Sequence, residues 1–183
     1  MVATARALFA ERGYAHVPAE EIVTAAGVTR GALYHHFADK QGLFRAVFEE
    51  LEGEVTAEIA AAIAAAPDQS AAMVVGLGRF LDVCQRPAVA RIALTDAPAV
   101  LGWRTWRDIE ARHGLGVITR SLQAAADEGL LQPVPVPVLA QLVLSAVIEA
   151  GLLIAHAKDP KAARADAERA LLALLSGLLR QPP

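Results

Sequence analysis

The chain has 183 residues, 55% of them hydrophobic and 20% charged, with 17 Lys and Arg against 20 Asp and Glu. That apolar content offsets the entropy of ordering and excludes a disordered chain, while the length suits one or two small domains and excludes a large multidomain enzyme. A net charge of −3 with Cys84 as the lone cysteine supplies no general field for nucleic acid or anionic lipid, no internal disulfide and no multi-thiolate zinc site.

Apolar residues recur at spacings of three and four almost throughout, so the chain is expected to be all-α with about nine helices. A first helix carries Leu8 and Phe9 and stops at Gly13. Before it there is no apolar core of a signal peptide, and a reducing, cytoplasmic setting is expected. Pro18 can open a second helix whose inner side is Ile22, Val23 and Ala26, with Gly27 ending it in a left-handed conformation. Thr29 caps a short third helix to Phe37, and Asp39 caps a long fourth one from Lys40. The long helix carries Leu43, Val47, Leu51, Val55, Ile59 and Ile63 at intervals of four. Each such step overshoots a turn by about 40°, so the stripe winds and one helix can bridge two packing units. Beyond Pro67, helices are expected at about residues 70–85, 88–94, 103–128, 138–157 and 161–179, punctuated by Asp96-Ala97-Pro98, Gly102 and the segment Pro133 to Pro137. Residues 138–155 have the length of a membrane span, but Gln141, Ser145 and Glu149 interrupt them, and a buried helix of a soluble protein is expected. A boundary near residue 48 divides the chain into segments 1–48 and 49–183.

Residues 22–37 have the grammar of a helix-turn-helix: small Ala25 and Ala26, a tight turn at Gly27, then a capped helix. On that second helix Leu33 and Phe37 point inward, which turns Gly31, Tyr34 and His35 outward. Gly13-Tyr14, Ile22, Ala26-Gly27-Val28-Thr29, Gly31, Leu33-Tyr34, His36-Phe37, Lys40 and Leu43 together resemble the N-terminal signature of TetR-family transcriptional regulators, over about residues 8–48. The resemblance implies that Arg30, Gly31 and Ala32 approach base edges in the major groove, while Thr29, Tyr34, His35, His36 and Lys40 hold phosphates or groove edges. Arginine can give guanine two parallel hydrogen bonds, glycine leaves room for the duplex, and lysine neutralises a phosphate. The chain departs from the family at Val17-Pro18, where a capping threonine is usual, and in having no basic arm ahead of the first helix. Both departures are expected to weaken DNA contact. Between residues 28 and 45 the cations Arg30, Lys40 and Arg45 stand against Asp39, a modest electrostatic footprint.

The remaining helices look like the ligand-binding and dimerisation domain of the same family. The helices at 138–157 and 161–179 carry more apolar surface than a small bundle hides, and are assigned to a two-fold, four-helix homodimer interface. Phe80, Cys84, Trp103, Trp106, Arg107, His113 and Glu149 are candidates for lining a pocket for a small, mostly apolar effector. Gly114-Leu115-Gly116 follows no strand and is expected to loosen its helix, not to cradle phosphate. The function expected is a dimeric, ligand-responsive repressor on a palindromic DNA operator, with no cofactor, metal or catalytic residue. Two alternatives are a helical adaptor that has lost DNA binding and an all-α enzyme with His113 or Glu149 as base. The enzyme lacks any nucleophile-elbow or metalloprotease motif, and the side chains of His35 and His36 diverge too far for one metal.

Overall fold

In the computed structural model, which describes residues 1–180, the first three helices form a small unit on the head of a long fourth one. α1 (Val2–Arg12) buries Ala5 and Phe9 and ends at Gly13, whose amide donates to the Phe9 carbonyl at 2.8 Å. Gly13 has φ 78° and ψ 158°, a region open essentially to glycine alone. A single 3-10 turn, Tyr14–His16, leads to α2 (Ala19–Ala25) and α3 (Arg30–Phe37). Gly27 between them has φ 66°, the left-handed conformation expected of it. α2 starts at Pro18 without a side-chain cap. Val17 and Ile22, at the two positions of a hydrophobic staple, are both fully buried and fix the chain's approach instead.

The corner between α3 and α4 (Lys40–Ala64) is tight. Ala38 has φ 63°, and the Asp39 amide donates to the Phe37 carbonyl at 2.7 Å across it, a rare and strained three-residue turn. Asp39 then caps α4 by accepting from the Gly42 amide at 2.6 Å. A side chain at Gly42 is impossible without movement, because a Cβ there would lie 2.0 Å from the Phe37 carbonyl oxygen. The inner face of α4 buries two adjacent rows, Leu43, Val47, Leu51, Val55 and Phe44, Phe48, Glu52. Phe9 and Tyr14 each pack edge to face with Phe44 and tilted against one another, with centroids 5.1 to 5.6 Å apart, joining α1 to α4.

The second half is a helical bundle: α5 (Gln69–Cys84), α6 (Ala97–Leu101), α7 (Trp103–Asp127), α8 (Val136–Ala155) and α9 (Pro160–Ser176). Asp68 and Asp159 cap α5 and α9 through backbone amides. The sequence expectations need correction in two places. Residues 89–96 form a wide π-helical segment, Val89–Asp96, instead of an ordinary helix, and Asp96-Ala97-Pro98 opens α6 instead of breaking the chain. In π geometry the Ala93 carbonyl would accept from residue 98, but Pro98 has no N–H. The indole N–H of Trp106 fills the vacancy at 3.0 Å. α7 passes through Gly114 and Gly116 without a break. Gly114 makes room for α8, since a Cβ there would lie 3.3 Å from Leu144. In keeping with the excess of apolar surface expected there, α8 is buried on one face only: of its most apolar stretch, with mean hydropathy 2.2, a third is buried. Val138, Leu142 and Leu153 on α8 and Leu174 on α9 are 57 to 65% exposed.

Candidate nucleic-acid interface

α3 is positioned by what it buries and by how it is capped. Leu33 is fully buried with Phe37 beside it, and Thr29 accepts from the Ala32 amide at 3.3 Å. Rotation by about 100° per residue then dictates the opposite face. Thr29, Arg30, Gly31, Tyr34, His35 and His36 are exposed, and Ala32 and Lys40 are half-buried. The structure therefore brings all eight candidates to one end of the molecule, and puts His36, nearer the core side by sequence, on the surface.

The cations of this face already have partners. Arg30 lies 3.0 Å from Glu20 on α2, donates to the Tyr34 hydroxyl at 3.3 Å and stacks over the Tyr34 ring at 5.4 Å. These contacts hold the guanidinium at the start of α3, aligned along the outer face. Lys40 donates to the Tyr14 carbonyl at 2.8 Å, with its nitrogen 3.9 Å from the ring centroid. Burial lowers its pKa. Lys40 is thus a strut between α1 and α4, with two ammonium protons remaining for a phosphate. Sequence reasoning assigned it only the phosphate.

Tyr14 also ties this end to the rest of the molecule. Its amide donates to Asp96 at 2.7 Å, and Asp96 ends the π-helical segment. Close approach explains Gly13 as well, since a Cβ there would sit 3.4 Å from both Arg91 and Asp96. Further along, Gln41 donates to the Val100 carbonyl of α6, and Arg112 of α7 pairs with Glu49 of α4 at 3.1 Å.

Residues 1–47 match the family model of bacterial regulatory proteins, tetR family, and residues 70–178 match the model of the tetracyclin repressor-like C-terminal domain. The chain belongs to the TetR family. A solved TetR-family transcriptional regulator from Pectobacterium atrosepticum is 36% identical, with a TM-score of 0.91 over 100% of this chain and 93% of that one. The Transposon Tn10 TetC protein of Escherichia coli is 27% identical over 98% of this chain and 88% of its own length. The HTH-type transcriptional repressor AcnR of Corynebacterium glutamicum is 46% identical over 46 residues, 25% of this chain and 24% of that protein. This TetR-family protein is accordingly a transcriptional regulator with a DNA-binding N-terminal domain, and not an enzyme.

The C-terminal helices form a partly open cavity of about 130 Å³ between α4, α5, α7 and α8, with Leu175 of α9 also in its lining. Of the seven pocket candidates only Phe80 lines it. Cys84 is buried behind the wall, where a Cβ on Gly151 would approach its sulfur to 3.1 Å. Trp106 donates to the Ala93 carbonyl at 3.0 Å, and Arg107 donates to Ser145 at 3.2 Å. Trp103 is 62% exposed, Glu149 lies on the outer face of α8, and His113 lies against Gly53. These six do not line this cavity.

Sequence reasoning missed the two carboxyls that line the cavity, Glu52 of α4 and Glu110 of α7. Both are buried. Burial pushes the Glu52 carboxyl up to about 7, and Glu110 is raised well above the usual range by burial and by Glu52, against the opposing field of Arg107 and the nearby Trp106 indole N–H. A signal was present in each helix. Glu52 continues the Phe44 and Phe48 row, and Glu110 follows Trp106 by four and precedes Gly114, Val117 and Ile118 on one face.

Proposed function

We propose that this TetR-family protein is a ligand-responsive repressor that binds a palindromic operator as a homodimer and is released by a small, mostly apolar effector. Segment 1–48 reads DNA and segment 49–183 dimerises and senses. The observation that carries the reading is the outer face of α3: an exposed arginine, a glycine and polar side chains at the start of a capped helix, backed by a buried leucine. Arg30, Gly31 and Ala32 meet base edges, and Thr29, Tyr34, His35, His36 and Lys40 meet phosphates or groove edges. Dimerisation is supported by the exposed apolar stripe Val138, Leu142, Leu153 and Leu174 on adjacent helices α8 and α9. Two copies packed there form a four-helix interface, hide that stripe and set two α3 helices at successive major grooves, about 34 Å apart. The protein then acts in the cytoplasm, where its operator lies.

Effector response is supported by α4, which carries the tight corner below α3 at one end and lines the cavity with Glu52, Thr56, Ile59 and Ile63 toward the other. A ligand that changes the packing of α4 against α7 changes the footing of the reading head. It releases DNA only in so far as it binds the non-reading arrangement better.

Selection of bound duplexes from a random pool, followed by affinity measurement across salt for wild type and Arg30→Ala, tests the reading. The expected result is a palindromic consensus, log K falling linearly with log salt, and a loss of about 1 to 3 kcal/mol with relaxed preference at one base in the variant. Absence of enrichment at low salt would turn the interpretation to the adaptor.

A further inference from the structure

The cavity is hydrocarbon on nearly every side and carboxylic at one place. Ile59, Phe80, Val143 and Val147 represent its walls, and Glu52 and Glu110 are only 8% and 7% exposed beside it. Among the described residues neither carboxyl belongs to an ion pair. Arg107, whose field reaches Glu110, donates to Ser145, and the Trp106 indole N–H, which also favours the charged form of Glu110, donates to the Ala93 carbonyl. The other titratable neighbours are Cys84 of α5, a thiol that burial and both carboxyls hold protonated, and His113 of α7 beside Gly53. α8 and α9 bring only apolar side chains to the cavity.

Two carboxylates in such surroundings are costly to ionise together, so in the empty protein the pair retains a proton. A compact cation of complementary shape removes that cost. A divalent metal fits poorly, because calcium or magnesium takes six or more oxygens, and beside the pair the lining adds only two side-chain hydroxyls, Thr56 and Ser121, the latter already accepting from Gln69. Consistent with this, no group of three or more His, Cys, Asp or Glu side chains among the described residues is placed to hold a metal. A neutral alcohol leaves the second carboxyl without a counter-charge, and an anion meets like charge. An ammonium with three donors on an apolar body satisfies both ends of the cavity. The volume of about 130 Å³ is close to that of an engineered apolar cavity that holds benzene, about 150 Å³.

We propose that the cavity takes a single-ring-sized apolar amine as its ammonium ion, with the nitrogen seated between Glu52 and Glu110 and the hydrocarbon against Phe80 and Ile59. One cation enters, any proton still carried by Glu52 leaves to solvent, and Glu110 keeps its own, so that one carboxylate faces one ammonium. This deepens the effector reading and rests on it for its regulatory meaning.

The test is titration calorimetry of the full chain at pH 7 with benzylamine, benzyl alcohol and phenylacetate, repeated in two buffers of different ionisation heat. The expected result is benzylamine binding at least about tenfold tighter than benzyl alcohol, no binding of phenylacetate, and a buffer-dependent heat that reports proton release. In Glu52→Gln with Glu110→Gln the amine preference disappears while benzyl alcohol still binds. If that variant does not fold, the wild-type proton count and the single variants carry the same test. Benzyl alcohol binding as well as benzylamine, or neither binding at all, overturns the proposal. A parallel anisotropy titration with labelled operator separates the two readings. Benzylamine that binds without releasing operator overturns the effector role of the site and leaves the amine site standing, whereas failure to bind any operator before amine is added overturns only the regulator reading.

Discussion

The DNA-facing end and the cavity are built in opposite ways. The candidate DNA contacts lie within residues 29–40, on one short helix and the residue that opens the next, and local rules place each of them: a threonine cap, a buried Leu33, a glycine corner. The cavity draws on residues from Glu52 to Leu175, on five helices, and no stretch of ten residues defines it. A duplex presents a fixed repeat that a contiguous helix can match, whereas an effector site exists only after distant helices converge.

The comparison can be broken most forcefully at the corner that local rules built. Gly42→Ala puts a Cβ against the Phe37 carbonyl, with 2.0 Å where contact needs well over 3. Either the capped start of α4 or the strained Ala38 turn must give way, at a cost on the order of 3 kcal/mol. Urea unfolding and operator binding of the variant check this. A protein with unchanged midpoint and affinity would mean that the corner is not what positions α3.

The cavity end responds to pH instead. Glu52 has a folded-state pKa near 7 against an ordinary 4.5, so the folded protein binds more protons than the unfolded chain between those values. Stability from this group is complete below pH 4.5 and is lost as pH rises through about 7. The loss at pH 8 and above amounts to about 3 kcal/mol for a shift of that size. Glu52→Gln with Glu110→Gln removes the slope, and the double variant is expected to match wild type near pH 5 and exceed it at pH 8. Parallel pH profiles in the two proteins would remove the buried pair as the cause.

What was legible in the sequence follows the same division. Helix order, the caps at Thr29 and Asp39, the left-handed Gly27 and the outward face of α3 all rest on residues within one turn of each other. The winding stripe of α4 was legible too, as was the excess of apolar surface on α8 and α9. The rest depended on partners distant in sequence. Trp106 looked like a ligand wall until the Ala93 carbonyl, orphaned by Pro98, claimed its N–H. Glu149 looked like a lining carboxylate, but α8 turns it outward, while Glu52 and Glu110 were not singled out at all. Their spacing from Phe48 and Trp106 hinted at burial. Only the packing of α4 on α7 put them at one cavity.

The junction between the two regions gives a smaller effect. Asp96→Ala leaves the Tyr14 amide without its acceptor. Loss of that bond is expected to cost about 1 to 3 kcal/mol, and hydrogen exchange at Tyr14 quickens. Unchanged exchange there would mean that Tyr14 is held by Lys40 and the aromatic packing alone.

The smallest effect sharpens the DNA-facing side itself. Glu20 holds Arg30 at 3.0 Å, with the two side chains 62% and 64% exposed. An exposed pair of this kind is worth about 0.2 to 1 kcal/mol, and salt screens it. Arg30 must exchange that carboxylate for a base edge or phosphate when DNA arrives, so Glu20→Gln removes a competitor and one repelling charge. Operator affinity is expected to rise by about two- to fivefold at low salt and to converge with wild type as salt increases. The gain should vanish in the background of Arg30→Ala apart from the part due to charge repulsion alone. If Glu20→Gln weakens binding instead, the carboxylate serves to aim the guanidinium, and Arg30 reads DNA as half of a positioned pair.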